Sequence, residues 1–154
     1  HRESEGDPQL KGQIRSRQRE AARRRMLSAV PSADIVVVNP THYAVAIRYD
    51  EAAGGAPRVV AKGLDELAMR IQAIARESGV PVLSAPPLAR ALYAHVELDQ
   101  EIPQALYVAV AQVLVYVYQL KRWIPGRSTA PQAPVDLPVP TEMDPKHSEK
   151  GKHA

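Results

Sequence analysis

Four consecutive residues, Asn39-Pro40-Thr41-His42, carry the chemistry that this sequence could perform. They follow a continuous apolar run, Ile35–Val38, so the asparagine stands where a buried strand gives way to a turn. Asparagine usually deamidates when the backbone nitrogen of the next residue attacks its side-chain amide. A proline nitrogen has no hydrogen, so this reaction is blocked here. The reverse attack stays open, because the Asn39 amide nitrogen can attack its own main-chain carbonyl and expel Pro40 as an amine. The segment therefore predicts a chain that cuts itself between Asn39 and Pro40.

A neutral amide is a poor nucleophile, so this cyclisation needs help from its surroundings. Holding the nitrogen at attack distance lowers the barrier by orientation, and a strained strand-to-turn backbone adds roughly 1–3 kcal/mol. His42 follows the proline by two residues, and we expect it to accept or relay the proton, because histidine exchanges protons near neutral pH. Thr41 is expected to hydrogen-bond within the turn or to orient His42. The alternative interpretation is a plain Asn-Pro turn without chemistry.

Alternating strand and helix patterns surround this turn. The predicted strands are Ile35–Val38, Tyr43–Tyr49, Arg58–Lys62, which Gly63 ends, and Val80–Ser84. The predicted helices cover about residues 65–78, with Asp65 as the cap, a short stretch after Pro87, and a last helix from Pro103 to about Arg122. This alternation predicts an α/β fold, a small sandwich with one sheet of about four strands surrounded by helices and preceded by a basic helical linker.

The charge divides the 154 residues into three zones. Residues 1–30 hold 8 basic and 4 acidic residues and form a predicted basic helical linker, bracketed by Gly12 and Pro31. Residues 31–124 hold 8 basic and 9 acidic residues and form the predicted globular domain. Residues 125–154 contain 6 prolines and few large apolar side chains, so we expect a disordered tail that contributes little to stability.

Composition excludes several classes of site. The chain has no cysteine, which excludes disulfides, a thiol nucleophile and cysteine-bound zinc. Its apolar runs are shorter than the ~18–20 residues of a membrane-spanning helix. We expect no cofactor and no metal, since His147 and His153 lack the spacing of metal ligands.

Other chemically interesting side chains have structural interpretations. Asp65 and Glu66 are interpreted as helix-start residues rather than as a catalytic carboxylate pair. His95 is interpreted as a structural or surface residue, and three tyrosines of the last helix, Tyr107, Tyr116 and Tyr118, are expected to pack on the core.

The linker carries three consecutive arginines, Arg23, Arg24 and Arg25. They are interpreted either as a solvated helical face or as a cationic patch that attracts anionic lipid headgroups or nucleic acid. No aromatic residue stands among them to stack on bases, which disfavours nucleic acid as the partner.

The residues around the turn resemble the self-cleaving region of the FlhB/YscU/HrcU family of type III export switch proteins. Four segments carry the resemblance: Val36–Ala46, Ala56–Gly63, Ala85–Tyr93 and Gln119–Trp123. It covers about residues 8–124, and the Asn39–His42 motif matches without departure. Within the family, the Pro-rich tail and the segment from Pro86 to Tyr93 are more similar to the flagellar branch than to the injectisome branch.

The resemblance implies autocleavage at Asn39-Pro40, after which both pieces stay together and export switches from rod and hook subunits to filament subunits. It implies single-turnover chemistry rather than an enzyme with an external substrate. Its implied partners are other export gate components, a hook-length control protein, the exported subunits or their chaperones, the chain's own cleaved fragment and the anionic membrane surface. It also implies membrane-spanning helices before residue 1 and a location at the cytoplasmic face of the bacterial inner membrane. The alternatives are an injectisome member of the family and a small α/β nucleic-acid-binding module that uses the arginine-rich linker.

Overall fold

Residues 7–146, the part of the chain that the computed structural model describes, contain four strands and four α-helices. The strands are β1 (Ile35–Asn39), β2 (Tyr43–Arg48), β3 (Arg58–Leu64) and β4 (Val82–Ser84). The helices are α1 (Pro8–Ala29), α2 (Asp65–Glu77), α3 (Pro86–His95) and α4 (Tyr107–Arg122). Three short 3-10 turns cover Val30–Ser32, Gln104–Leu106 and Thr141–Met143.

Strand β1 lies inside the sheet and pairs along both of its edges. The strand order is β3-β2-β1-β4. β1 and β2 form an antiparallel hairpin in which Asn39 lies opposite Tyr43, and β2 pairs antiparallel with β3. β4 pairs with β1 in parallel, so the chain must cross back over the sheet, and α2 makes that crossover. The predicted α/β fold with one sheet of about four strands is confirmed.

Both faces of the sheet are covered, which explains why β1 is apolar throughout. Ile35 and Val37 face a core built with α3 and α4, while Val36 and Val38 face a second core built with α2 and the end of α1. A strand that is buried on both faces needs an uninterrupted apolar run rather than an alternating one. The apolar face predicted for the last helix is also buried, at Leu106, Val110, Val113, Leu114 and Val117.

Gly63 does not end β3 as predicted, because the strand continues through Leu64. Gly63 lies opposite Ala44 in the ladder, and a Cβ atom at this position would come within 2.6 Å of Leu67 Cγ. The glycine therefore allows α2 to pack closely against the end of β3. This position requires a small residue for space rather than a residue that breaks the strand.

Helix α1 confirms the helical prediction for the linker but begins before Gly12. Asp7 caps it, since its carboxylate accepts hydrogen bonds from the backbone N–H groups of Gln9 at 3.0 Å and Leu10 at 3.2 Å. Leu27 near the far end is buried in the second core, whereas most of the helix is exposed. Within the described part of the chain, no helix combines the length and the apolar character that spanning a membrane requires.

The disorder prediction is wrong for residues 137–144 of the tail, which lie against the domain and are called the strap below. Leu137, Val139 and Met143 pack against the core to which α3 and α4 contribute. Arg90 donates from Nε and Nη2 to the two carboxylate oxygens of Asp144, at 2.8 and 2.9 Å, and both side chains are only about one-tenth exposed, 11% and 12%. These hydrogen bonds, partly opposed by burial, raise the pKa of Arg90 above its usual value.

The sequence pattern did not predict an ordered strap because the average hydropathy of the tail is low. The strap is held instead by a few contacts, among them those of three apolar side chains and the Arg90–Asp144 ion pair. A short segment can be ordered by a few well-placed contacts even where its composition is that of a linker. Residues 147–154, which include His147 and His153, lie outside the described residues.

Neutralising Asp144 should destabilise the domain, contrary to what the tail's composition suggests. Asp144→Asn keeps the size of the side chain but leaves the Arg90 guanidinium largely buried beside an uncharged partner. We expect a loss of about 1–3 kcal/mol, which lowers the thermal midpoint by roughly 3–10 °C. Differential scanning calorimetry of Asp144→Asn and of the exposed, equally charged control Glu142→Gln measures this difference. Equal midpoints for the two variants would show that the ion pair does not fix the strap.

Candidate functional site

The turn between β1 and β2 brings the four predicted site residues together. Asn39 is the last residue of β1 and is partly buried, whereas Pro40, Thr41 and His42 are exposed. The backbone N–H of His42 donates to the Asn39 carbonyl oxygen at 3.0 Å, which closes a β-turn over the four residues. The hairpin therefore presents the Asn39-Pro40 bond at one end of the sheet, next to solvent.

Thr41 adopts a left-handed backbone conformation, with φ of 74°. The third position of such a turn favours glycine or asparagine, and a β-branched residue there is strained. The cost of a non-glycine residue in this region is about 1–3 kcal/mol. The ladder that begins with the Asn39–Tyr43 pair holds the turn in this conformation, so the strain is stored in the backbone beside Asn39.

The oxygen that accepts the turn hydrogen bond belongs to the carbonyl that cyclisation would attack. When a nitrogen adds to that carbon, negative charge develops on the Asn39 oxygen. The His42 N–H already points at this oxygen, so it can stabilise the charge without rearrangement. The turn thus supplies two things that self-cleavage needs, a strained backbone and a hydrogen-bond donor at the reacting carbonyl.

Asp65 contacts His42, and the sequence analysis did not predict this contact. Its carboxylate Oδ1 lies 3.3 Å from Nδ1 of His42, and its backbone N–H donates to the His42 carbonyl oxygen at 2.9 Å. The cap interpretation is wrong, because Leu64 occupies the N-cap position of α2 and no side chain caps this helix. The strand register explains the contact. Tyr43 lies opposite Leu64, so the next residues beyond this pair, His42 and Asp65, come close together.

The arginines of α1 do not all face away from the domain. Arg23 and Arg24 line a cleft of about 520 Å³ together with Asp65, and the other charged residues of that cleft are Glu20, Glu66 and Arg70. Arg24 lies 3.9 Å from Glu20 in an exposed pair, one turn apart on the helix. The linker thus reaches the neighbourhood of the turn, while Arg25 is exposed outside this cleft.

The remaining candidates take structural positions or lie apart from the turn. His95 Nε2 is 3.0 Å from the carbonyl oxygen of Met143 in the strap. Among residues 7–146, no cluster of histidines and carboxylates has the geometry of a metal site.

Two of the three tyrosines of α4 depart from the expected core packing. Tyr116 packs on the core as predicted. The prediction of core packing is wrong for Tyr107 and Tyr118, which are exposed and line a cleft of about 530 Å³ beside Ala56. Partial burial and a hydrogen bond to Glu51 raise the pKa of the Tyr118 hydroxyl.

Comparison with known proteins places the fold and the turn in one family. The profile of the FlhB HrpN YscU SpaS family matches residues 1–117. The flagellar biosynthetic protein FlhB of Escherichia coli K12 is 57% identical over 143 residues, which are 93% of this chain and 37% of that protein. The protein of the same name from Bacillus subtilis is 50% identical over 122 residues, 79% of this chain and 34% of that protein. The chain thus spans little more than a third of these curated relatives.

Solved structures agree with the sequence relatives. The cytoplasmic domain of FlhB from Shewanella putrefaciens superposes with a TM-score of 0.69 at 47% identity, over 79% of this chain and 95% of that domain. A mutated EscU C-terminal domain superposes with a TM-score of 0.58 at 28% identity, over 60% of this chain and 92% of that domain. The family profile covers most of the chain, and the strained turn lies within it. The chain therefore belongs to the FlhB HrpN YscU SpaS family.

Proposed function

We propose that this chain is the switch region of a flagellar type III protein export component and that it cuts its own backbone between Asn39 and Pro40. The observation that carries the proposal is the geometry of the turn, in which Thr41 is strained and the His42 N–H binds the carbonyl oxygen of Asn39. Family membership and the flagellar names of the most similar relatives support the same function.

The reaction is an intramolecular acyl transfer. A bond forms between the Asn39 side-chain nitrogen and its main-chain carbonyl carbon, and the bond from that carbon to the Pro40 nitrogen breaks. One proton leaves the amide nitrogen and one reaches the proline nitrogen, a transfer that the His42 imidazole can relay. The products are a succinimide at the new carboxyl end, which water later opens, and a free amine at Pro40. The nucleophile is consumed, so each chain reacts once and no external substrate is turned over.

Cleavage leaves the sheet intact, which supports a cut protein made of two associated pieces. The piece ending at Asn39 contributes α1 and β1, and β1 keeps its ladders with β2 and β4. The four residues Ile35–Val38 are fully or almost fully buried. Burying side chains of this size contributes about 1.5–3 kcal/mol each, so their removal from the sheet is strongly unfavourable.

The biological consequence that we propose is a change of export substrate, from rod and hook subunits to filament subunits. The cut replaces a strained turn with two chain ends and so remodels an exposed surface next to the rest of the export gate. A hook-length control protein and the exported subunits or their chaperones are the proposed partners of that surface. The flagellar assignment is supported by the flagellar names of the relatives that are 57% and 50% identical to this chain. Family membership favours export over nucleic-acid binding.

We place this region at the cytoplasmic face of the bacterial inner membrane, with α1 beside the lipid. Seven basic residues and one acidic residue lie between Lys11 and Arg25. The helix has one buried apolar position near its end, so its attraction to a membrane is electrostatic rather than insertional.

Removing the attacking nitrogen should abolish cleavage. Asn39→Ala deletes the amide, and Asn39→Asp is the matched variant that keeps the size but replaces the amide nitrogen with a carboxylate oxygen. Both chains should run as one band on a denaturing gel, whereas the natural chain should give two bands, with Pro40 at the start of the larger piece by sequencing. The cut pieces should elute as one species in native gel filtration, because β1 remains paired. A piece beginning at Pro40 from either variant would contradict the mechanism.

Removing the imidazole should slow cleavage by ~10²–10⁴-fold without stopping it, since orientation and strain persist in His42→Ala. Timed denaturing gels at several pH values measure the two rates. His95→Ala is the control, because His95 contacts the strap rather than the turn. A His42→Ala rate equal to the natural rate at every pH would leave His42 without a chemical role.

Reversing the charge of Arg23, Arg24 and Arg25 to glutamate should greatly weaken binding to anionic lipid vesicles. Each basic residue near such a surface contributes about 1 kcal/mol, and salt screens the attraction over a Debye length of ~8 Å. Co-sedimentation in low and physiological salt measures the binding, with neutral vesicles as the control. The reversed chain should still be cut at Asn39. Binding that survives the reversal, or is absent in low salt, would make the linker a solvated helix only.

A further inference from the structure

Asp65 has an unusual backbone and an unusual partner for the first residue of a helix. Its φ is 47°, in the left-handed region that aspartate and asparagine tolerate better than most residues. An acidic side chain at a helix start commonly turns back to accept a backbone N–H of the first turn. Here no side chain makes such a bond to α2, and the Asp65 carboxylate lies against the His42 imidazole instead.

Two contacts join Asp65 to His42, and each fixes a different part of the histidine. The backbone N–H of Asp65 holds the His42 carbonyl at 2.9 Å and so fixes the main chain beside the turn. The carboxylate Oδ1 lies 3.3 Å from Nδ1 and so fixes the direction of the ring. A carboxylate accepts hydrogen bonds only, so the neutral ring must carry its proton on Nδ1 to bind it.

We propose that Asp65 is a positioning residue for self-cleavage, which holds the His42 ring with Nδ1 protonated and Nε2 free to accept a proton. The inference rests on the proposed self-cleavage and adds the group that prepares its base. In the step itself, Nε2 takes the proton that leaves the Asn39 amide nitrogen and returns it to the Pro40 nitrogen as the peptide bond breaks. Asp65 neither gains nor loses a proton, in the manner of a carboxylate that orients a histidine base.

The surroundings make this role separable from stability. The His42 and Asp65 side chains are 67% and 75% exposed, and exposed ion pairs contribute little to folding. The other charged groups around the carboxylate are Glu66 and Arg70 on α2 and Glu20, Arg23 and Arg24 on α1. That set holds two acids and three bases, so the charges of the cleft balance once Asp65 itself is counted. Tyr43, the residue after His42, packs on the core.

The test compares cleavage rates of Asp65→Asn and Asp65→Glu with the natural chain, using pulse-labelled full-length chain and timed denaturing gels. Asparagine keeps the shape and the left-handed backbone but loses the charge, so the rate should fall about three- to tenfold while the thermal midpoint stays the same. Glutamate restores the carboxylate and should recover most of the rate. Glu66→Gln, which removes the same charge from the next residue, should leave the rate unchanged.

Two further measurements distinguish positioning from a merely structural effect. In a His42→Ala background, Asp65→Asn should cause no additional slowing, because the group that it orients is gone. Nitrogen-15 NMR of the uncut Asn39→Asp chain should show the Nδ1-protonated form of neutral His42, and Asp65→Asn should shift this balance toward the Nε2-protonated form. Equal rates for Asp65→Asn and the natural chain, additive slowing with His42→Ala, or an Nε2-protonated His42 would each overturn the inference. A natural chain that is never cut after Asn39 would instead overturn the proposed function on which the inference rests.

Discussion

The pairing of β1 along both of its edges is the constraint on which the rest of the structure depends. It sets Asn39 opposite Tyr43 and leaves only three residues to reverse the chain. Thr41 takes a left-handed backbone to close that turn, and the closing hydrogen bond falls on the carbonyl of Asn39. The same ladder continues to β3 and brings Asp65 beside His42. The geometry of the turn is thus a consequence of strand register rather than of contacts that the turn makes by itself.

The fold was predictable from sequence wherever one signal dominated. The β-branched run at Ile35–Val38 and the apolar face of α4 predicted buried elements correctly, because burial on this scale leaves few alternatives. Gly63 was misjudged because a glycine that ends a strand and a glycine that makes room for Leu67 look the same in sequence. The strap was missed because its order depends on Arg90 and Asp144, which are 54 residues apart. Pairwise contacts of that kind leave no trace in local composition.

The candidate site was predictable only where its residues are neighbours in the sequence. The chemistry that we propose for Asn39, Pro40 and His42 is local in sequence, so residue types and spacing were sufficient to propose it. The strain at Thr41 and the placement of Asp65 depend on how β2 pairs with its neighbours, which spacing alone does not determine. The approach of Arg23 and Arg24 to the cleft beside Asp65 likewise requires the packing of α1 against the domain.

The central position of β1 has a kinetic consequence for a cut chain. In a sheet ordered β3-β2-β1-β4, the strand that ends at Asn39 pairs with a neighbouring strand on each edge and packs against an apolar core on each face. It cannot slide out alone, as an edge strand could, without breaking both ladders and opening both cores together. Exchange of one piece for another copy therefore requires the whole domain to open, so its rate is limited by global unfolding, which for small domains takes from under a second to days. The two pieces of a cut molecule would therefore stay paired with each other for as long as the domain remains folded.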